Sequence, residues 1–221
     1  MQKAAFFDID KTLYSGTLAV DFARQLRLNG IVAEALEENG LGEDADVVSV
    51  LKALQKSGKM PYKLYLEIVE KTAQLVKGRF NGLVLSLFKE LREDGFCMVA
   101  LSQAPFLVLK QYCNDIDGDS FDVVASAMPT TIRNNKGDVF LGPSSVISSE
   151  ERDKGEWVKK LVDCYGFDLS LSLAIGDSFN DIAMLEAVGG RKIAYNPDEK
   201  LMEKAKSEDW EILMSKDKQD E

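Results

Sequence analysis

The chain has 221 residues, of which 45% are hydrophobic and 29% are charged, so it is long enough to bury a core in one domain or in a core with a smaller lobe. With 27 basic and 37 acidic residues its formal net charge is −10, which argues against a nucleic-acid or anionic-membrane partner because both need a basic face. It contains no histidine, which removes serine–histidine and cysteine–histidine catalysis and leaves carboxylates, hydroxyls, lysine and a hard cation for any chemistry.

The expected compartment is the cytoplasm. No stretch approaches the roughly 20 apolar residues of a membrane span, and the N-terminal segment AAFFDID does not have the pattern of a signal leader. The three cysteines, Cys97, Cys113 and Cys164, are never spaced as CxxC, which is typical of reduced thiols and not of a disulfide framework or a zinc site. The oligomeric state is left open by the sequence.

The first predicted element is a short buried strand at residues 4–7, and a long helical region follows it. Apolar residues recur there at three- and four-residue spacing in four segments, residues 18–28, 31–39, 46–56 and 62–76. Four glycines are expected at helix ends, namely Gly30, Gly40, Gly58 and Gly78.

After Gly82 helices and strands alternate. The predicted elements are a helix at 82–95, a strand at 96–101, a helix at 105–114, a strand at 121–127, a hairpin at 130–142 around residues 134–137, a helix at 153–165, a strand at 171–176, a helix at 180–189, a strand at 191–196, and a helix followed by a polar tail from Pro197. This alternation predicts an α/β fold with a doubly wound parallel sheet. We expect an α/β core made of residues 1–13 and 81–221, with an all-helical insert at residues 14–80.

Polar side chains follow several of the predicted strands. Asp8 and Asp10 follow the first strand, Ser102 follows the second, and Asp177 follows the strand at 171–176. An aspartate before a helix is also an ordinary cap. However, ligands of open α/β sheets bind at the carboxyl ends of the strands, so polar residues from three strands favour a functional site at that edge.

The residue types indicate a magnesium and phosphate site. Asp8, Asp10 and Asp177 would repel one another unless a cation held them, and oxygen ligands without histidine or cysteine suit Mg²⁺. A carboxylate beside a bound phosphoryl group is a credible nucleophile. The hydroxyls of Thr12 and Ser102 and the charge of Lys154 can stabilise phosphoryl oxygens, although Lys159 and Lys160 lie on the same predicted helix.

Four segments in this order resemble the motifs of the haloacid dehalogenase superfamily: DIDKT at 8–12, Ser102, Lys154, and GDSFND at 176–181. The helical insert resembles the C1 cap of the phosphoserine-phosphatase-like branch (subfamily IB), and IAYNPDEKL at 193–201 is similar to that branch's closing segment. The resemblance covers nearly the whole chain. It implies a Mg²⁺-dependent phosphatase that acts on a small phosphomonoester through an aspartyl-phosphate.

The resemblance also implies a role for each matching residue. Asp8 would be the nucleophile, Asp10 the general acid and then base with its main-chain carbonyl on the metal, and Lys154 the charge that balances Asp8. The phosphate-binding residues would be Thr12, Ser102 and Asn180, and the metal site would consist of Asp8, Asp10, Asp177 and the supporting Asp181.

Other functions remain open at this stage. A phosphomutase or phosphotransferase would use the same nucleophile, whereas a dehalogenase would need no metal and would not keep Asp10. A receiver-type phospho-acceptor would carry its aspartate at a later strand and lack the insert, and a non-catalytic binding module would not need every one of these residue types. The phosphoserine phosphatases of the resembling branch carry an acid near the place of Thr17 that meets the substrate's amino group. We therefore expect L-phosphoserine to be a poor substrate.

Overall fold

A six-stranded parallel sheet forms the centre of the computed structural model, which describes residues 2–42, 47–57, 60–126, 131–133, 139–141 and 153–216. The strands are β1 Ala4–Phe7, β2 Cys97–Leu101, β3 Val123–Ala125, β6 Leu173–Gly176, β7 Lys192–Tyr195 and β8 Glu211–Leu213, and their order in the sheet is β3-β2-β1-β6-β7-β8. The chain order reverses between β1 and β6, which is the position where ligands of doubly wound sheets bind. The predicted fold class is confirmed.

The structure describes four helices between β1 and β2 before the core helices begin. They are α1 Leu18–Arg27, α2 Gly30–Glu38, α3 Val47–Ser57 and α4 Tyr62–Val76. The remaining helices of the described chain are α5 Gly82–Glu93, α6 Phe106–Cys113, α7 Lys154–Tyr165, α8 Ile182–Ala187 and α9 Glu199–Ser207. Among the described residues, no helix has the length and apolar character needed to cross a membrane.

Apolar side chains pack on both faces of the sheet, and β1 is therefore buried along its whole length. Phe6 points to the side of α7, α8 and α9, where its ring meets Phe167 edge-on at 6.0 Å. Phe7 points to the opposite side, where it meets Phe88 of α5 at 5.7 Å. Each such ring contributes roughly 1.5–3 kcal/mol when it is buried. The end of β1 is therefore held from both faces, which gives the residues after it a rigid base.

The four-helix insert is anchored to the core and not separated from it. The apolar cluster that contains Phe7 continues into Leu18 and Phe22 of α1 and Tyr65 of α4, and all three side chains are almost fully buried. Helix α4 also packs along the core helix α6. The connections to and from the insert meet where Tyr14 and Phe80 form an antiparallel bridge.

Some boundaries differ from the predictions. Gly30 begins α2 and does not end α1, since the carbonyl of Asn29 already accepts the amide of Ala33. The predicted helix at 180–189 begins as a 3₁₀ turn at Phe179–Asp181. Gly58 and the hairpin turn at 134–137 lie outside the described residues, while the flanking strands β4 Thr131–Arg133 and β5 Val139–Leu141 pair antiparallel.

Strand β8 was not predicted. Its three residues lie in the stretch expected to be a polar tail, and they are exposed or half-buried. An edge strand pairs on one side only, so such a short segment needs no apolar run. Pairing with β7, with Ala194 opposite Ile212, gives it its conformation.

Candidate active site

The register of the central strands brings the predicted site residues to one edge of the sheet. Phe7 pairs with Ala100 of β2 on one side and with Ile175 of β6 on the other. Asp8 is the next residue, and its amide donates to the carbonyl of Ile175 at 2.9 Å. Asp8, Ser102 and Asp177 therefore follow the ends of three neighbouring strands at one edge of the sheet.

Lys154 lies between two of the carboxylates. Its Nζ is 2.5 Å from Oδ1 of Asp8 and 2.5 Å from Oδ1 of Asp181. All three side chains are almost completely buried, with exposed fractions of 5% for Lys154, 7% for Asp8 and 1% for Asp181. The two other lysines considered from the sequence, Lys159 and Lys160, are exposed. Lys154 is thus the lysine of α7 that reaches Asp8.

The start of α7 explains how Lys154 reaches the site. The side chain of Asp153 caps the helix by accepting the amides of Gly155 at 2.7 Å and Glu156 at 3.4 Å, so Lys154 is the first helical residue. Gly155 lets this turn approach α8, because a Cβ there would lie 2.9 Å from the carbonyl oxygen of Ala183. The close contact between α7 and α8 places the ammonium group of Lys154 at the end of β1.

Asp181 connects Lys154 with the loop after β6. Its Oδ2 accepts the amides of Asp177 at 3.1 Å and Ser178 at 3.0 Å, while Oδ1 faces Lys154. Gly176 makes this possible, since a Cβ at that position would lie 2.4 Å from Cβ of Asp181. Asp181 thereby holds the loop that presents the carboxylate of Asp177.

The loop after β1 contributes two further polar groups. The hydroxyl of Thr12 lies 3.0 Å from Oδ2 of Asp8 and 3.4 Å from Oδ1 of Asp177. The carboxylate of Asp10 accepts the first amide of α1, that of Leu18, at 2.7 Å. Asp10 therefore caps a helix of the insert while it lies next to Asp8.

Burial and like charges shift the acidities of this cluster. Burial raises the pKa of Asp8 above the ordinary aspartate range, Asp181 and Asp177 add to that rise, and Lys154 opposes it. Burial and the charge of Asp8 raise the pKa of Asp10 to about 7, and burial and Asp181 raise the pKa of Asp177 to about 6. Burial by itself would lower the pKa of Lys154, but the carboxylates of Asp8 and Asp181 outweigh it and raise that pKa.

The donor set fits a hard divalent cation. Oxygen atoms of Asp8, Asp177 and Asp181 lie within 4.8 Å of one another. Carboxylates held this close repel, and repulsion from Asp181 adds to burial in raising the pKa of Asp177. A Mg²⁺ ion would relieve this repulsion, and it prefers oxygen ligands. The carboxylate of Asp10 points to the amide of Leu18, which is compatible with metal binding through its main-chain carbonyl only.

The remaining predicted residues occupy different surroundings. Ser102 is buried, and its Oγ accepts the amide of Ala104 at 3.0 Å, which leaves the hydroxyl proton free for another acceptor. Asn180 is exposed on the 3₁₀ turn beside Asp181. Ser126, at the end of β3, was not predicted, yet its hydroxyl donates to the carbonyl of Ala104 and so braces the loop after Ser102.

A second group that sequence reasoning missed lies where the insert joins the core. The Tyr14 hydroxyl donates to the buried carboxylate of Asp21, which also faces Arg24 at 3.4 Å and Arg79 at 3.6 Å. The Arg79 guanidinium lies over the Tyr14 ring at 5.1 Å. Tyr14, Asp21 and Arg24 are close in the sequence, but Arg79 is not, and an aspartate on a helix gives no sign of such a group. The Asp21 carboxylate is therefore already neutralised.

The fold and the site together define a doubly wound α/β protein with an inserted helical segment and an aspartate–lysine cluster at the switch point of its sheet. The model of the haloacid dehalogenase-like hydrolase family matches residues 5–186. The chain therefore belongs to that family, and the resemblance predicted from its motifs is confirmed.

Similar proteins place it in the phosphoserine-phosphatase-like branch. The chain is 26% identical over 206 residues to a phosphoserine phosphatase of Methanocaldococcus jannaschii, with 92% of this chain and 90% of that protein covered. It is 28% identical over 229 residues to an "inhibition of morphological differentiation protein" of Streptomyces azureus, with 95% and 77% covered. Its fold matches a solved structure titled as a phospho-aspartyl intermediate analogue of phosphoserine phosphatase, with a TM-score of 0.64, 23% identity, and 97% and 94% of the two chains covered.

Proposed function

We propose that this protein is a Mg²⁺-dependent phosphomonoesterase that acts on a small phosphorylated metabolite through a phosphorylated Asp8. Membership of the hydrolase family and the similarity to phosphoserine phosphatases support a phosphatase of the haloacid dehalogenase type. The observation that carries the proposal is the buried position of Asp8 between the Lys154 ammonium and the Thr12 hydroxyl, beside Asp177.

Asp8 would be the nucleophile. One of its carboxylate oxygens forms a bond to phosphorus while the bond from phosphorus to the leaving-group oxygen breaks. Lys154 balances the charge of Asp8 and of the phosphoryl oxygens, and the hydroxyls of Thr12 and Ser102 donate hydrogen bonds to those oxygens. Asn180 would contact the phosphate from the 3₁₀ turn after Asp177.

Asp10 would transfer the proton in both halves of the reaction. It protonates the leaving oxygen as the alcohol departs, and it then takes a proton from the water that attacks phosphorus, which releases inorganic phosphate and restores Asp8. A pKa of about 7 suits a group that donates and accepts a proton near neutral pH.

The metal would be held by the carboxylates of Asp8 and Asp177 and by the main-chain carbonyl of Asp10. Asp181 would support this set, because its own oxygens already bind Lys154 and the amides of Asp177 and Ser178. When bound, Mg²⁺ supplies positive charge that neutralises the carboxylates and the phosphoryl oxygens.

We further propose that residues 14–80 act as a cap over the site, with residues 1–13 and 81–221 as the core. The bridge between Tyr14 and Phe80 supports these boundaries, since it joins the two connections where the chain leaves and re-enters the core. The hydrogen bond from the amide of Leu18 to Asp10 brings the first helix of the insert to the site.

The test is a screen of small phosphomonoesters with Mg²⁺, scored by release of inorganic phosphate. We expect activity that a chelator abolishes and that Mg²⁺ restores. Mass spectrometry of acid-quenched protein should find one phosphoryl group on the peptide that contains Asp8. Asp8→Asn should be inactive although folded, while Asp163→Asn, which changes an exposed aspartate of α7, should match wild type.

Three outcomes would contradict this proposal. Full activity in chelator would remove the metal from the mechanism, and turnover by Asp8→Asn within tenfold of wild type would make water the direct attacker. An isomerised phosphoester without free phosphate would identify a mutase instead.

A further inference from the structure

Asn81 occupies an unusual position for its residue type. It is the residue before α5, where an asparagine side chain ordinarily accepts an amide of its own helix. The side chain of Asn81 makes no such bond. Its amide nitrogen instead donates to the carbonyl of Lys11 at 3.0 Å and to the carbonyl of Thr12 at 2.6 Å.

The main chain of Asn81 extends the same contact. Its amide donates to the carbonyl of Leu13 at 2.9 Å, so one residue binds three successive carbonyls of the loop after β1. Both protons of the Asn81 side-chain amide are used in this way. The capping bond that α5 lacks is therefore replaced by bonds to the loop that carries Asp10 and Thr12.

This loop has a conformation that needs support. Lys11 has a φ of 62°, the left-handed region, which costs a residue with a side chain roughly 1–2 kcal/mol. Its amide donates to the carbonyl of Gly16 at 2.8 Å, which closes the turn. The carboxylate of Asp10 is held separately, by the amide of Leu18. Asn81 thus holds the main chain of this turn from one side, while the amide of Leu18 holds the carboxylate of Asp10 from the other.

We propose that Asn81 is a positioning residue that keeps Asp10 aligned for proton transfer by holding the carbonyls of Lys11 and Thr12. The inference rests on the proposed function, because it assigns Asn81 to the proton-transfer step of that reaction. Asn81 is also the residue at which the chain returns from the helical insert, so the bonds tie that return point directly to the catalytic loop.

The experiment uses two variants that keep a good helix cap. Asn81→Asp is isosteric but loses both donors and places a carboxylate against two carbonyl oxygens, and Asn81→Ser caps α5 with a side chain too short to reach them. The control is Asn39→Asp, since the Asn39 amide also donates to a main-chain carbonyl, that of Ala35 at 2.8 Å, but within the insert.

The kinetic readout is kcat/KM for two esters with Mg²⁺, the alkyl ester glycerol 3-phosphate and the activated aryl ester 4-nitrophenyl phosphate. A poor alkyl leaving group needs the proton of Asp10, whereas 4-nitrophenolate leaves without it. We expect kcat/KM of both Asn81 variants to fall about 10²-fold with the alkyl ester, which is the scale expected for a small misalignment of a catalytic group. With the aryl ester we expect kcat/KM to fall less than about tenfold. Asn39→Asp should keep the wild-type kcat/KM with both esters. Equal losses with both esters would show a merely structural role and overturn the proposal.

Amide hydrogen exchange tests the contact independently of activity. The amides of Lys11 and Tyr14 close the loop by donating to the carbonyls of Gly16 and Ile9, each at 2.8 Å. Both amides should exchange faster in the two Asn81 variants, while those of β1 should exchange as in wild type. Unchanged exchange at Lys11 and Tyr14 would overturn the proposal. A wild-type protein without phosphatase activity would contradict the proposed function alone, and exchange would still decide whether Asn81 holds the loop.

Discussion

At the scale of single residues, the site depends on charges that are buried together. Lys154 has two carboxylates within 2.5 Å of its Nζ and almost no exposure to water. A buried charge that loses its partner is strongly unfavourable, and removing one member of such a group costs about 3–5 kcal/mol. The same lysine therefore serves the stability of the fold and, in the proposed reaction, the charge balance of Asp8.

We predict that Lys154→Met lowers both stability and activity. The thermal midpoint should fall because Asp8 and Asp181 are left unpaired, and phosphate release should fall by about 10²–10³-fold because charge stabilisation is lost. The control is Lys160→Met, on the exposed face of the same helix. Activity of Lys154→Met within tenfold of wild type would contradict the role proposed for Lys154.

At the scale of secondary-structure elements, the site is built by turns that follow strands. The turn after β6 needs a residue without a side chain at Gly176, because Asp181 folds back onto it to bind the amides of Asp177 and Ser178. The turn after β1 is held by Asn81 and by the first amide of α1. Backbone contacts of these turns therefore determine where the carboxylates point.

Gly176→Ala should disrupt the turn after β6. The added Cβ would lie 2.4 Å from Cβ of Asp181, so Asp181 must move away from Lys154. We expect a destabilisation of about 1–3 kcal/mol, measured as a lower thermal midpoint at roughly 2–4 °C for each kcal/mol, together with reduced phosphatase activity. Gly30→Ala has open space around its Cβ and should behave as wild type. An unchanged midpoint in Gly176→Ala would show that this turn adapts without cost.

At the scale of the whole molecule, the helical insert is packed against the sheet and is bonded to the acidic site. Aromatic residues of α1 and α4 continue the core that lies beneath β1, and the insert reaches the site through the bond between Leu18 and Asp10. Repulsion among the clustered carboxylates of the site lowers the stability of the folded state. The size of this effect depends on pH and on bound cations.

Stability of the metal-free protein should fall between pH 5 and pH 8. The pKa of Asp10 is raised to about 7 and that of Asp177 to about 6, from 3.8, so the folded state binds these protons more tightly than the unfolded state. The stabilisation that these two protons give the folded state is complete below about pH 4, and it is lost as the pH rises through the raised pKa values of Asp177 and Asp10. Thermal midpoints in chelator should therefore be lower at pH 8 than at pH 5.

Mg²⁺ should raise the midpoint more at pH 8 than at pH 5, because it binds the ionised carboxylates. In Asp177→Asn, both the fall with pH and the response to Mg²⁺ should be smaller. A wild-type midpoint that is the same at both pH values and insensitive to Mg²⁺ would contradict this account of the cluster.

The substrate prediction also concerns the whole molecule, because the insert would supply the contacts to the leaving group. The resemblance puts Thr17 near the place where the branch carries an acid, and the nearby Asp21 is buried and already bonded to Tyr14. Among the described residues, neither Thr17 nor the bonded Asp21 offers a free carboxylate to an ammonium group, and an unpaired charge in a closed site is costly. We expect kcat/KM for L-phosphoserine to be lower than for neutral sugar, polyol or alcohol phosphates. Phosphoserine ranking first by tenfold or more would refute this prediction.

Much of the fold and the position of the candidate site residues could be predicted from local sequence. The buried strand at 4–7, the alternation after Gly82 and the insert follow from hydrophobic spacing, which each segment carries in its own residues. The position of Asp8, Ser102 and Asp177 follows from a general property of parallel sheets, since their strands all end at the same edge. The resemblance of the four motifs to the haloacid dehalogenase superfamily was confirmed by the match to the family model.

Only the tertiary structure decided which groups touch. Lys154 and Asp8 are 146 positions apart, and the sequence favoured Lys154 although Lys159 and Lys160 lie on the same helix. The packing of α7 against α8 places the first turn of α7, with Lys154, at Asp8. Strand β8 formed because β7 offered a free edge, and the bonds from Asn81 to the loop after β1 exist only when that loop is folded beside α5. Hydrophobic period and residue type are properties of short segments, whereas hydrogen bonds and ion pairs between distant segments depend on how those segments pack.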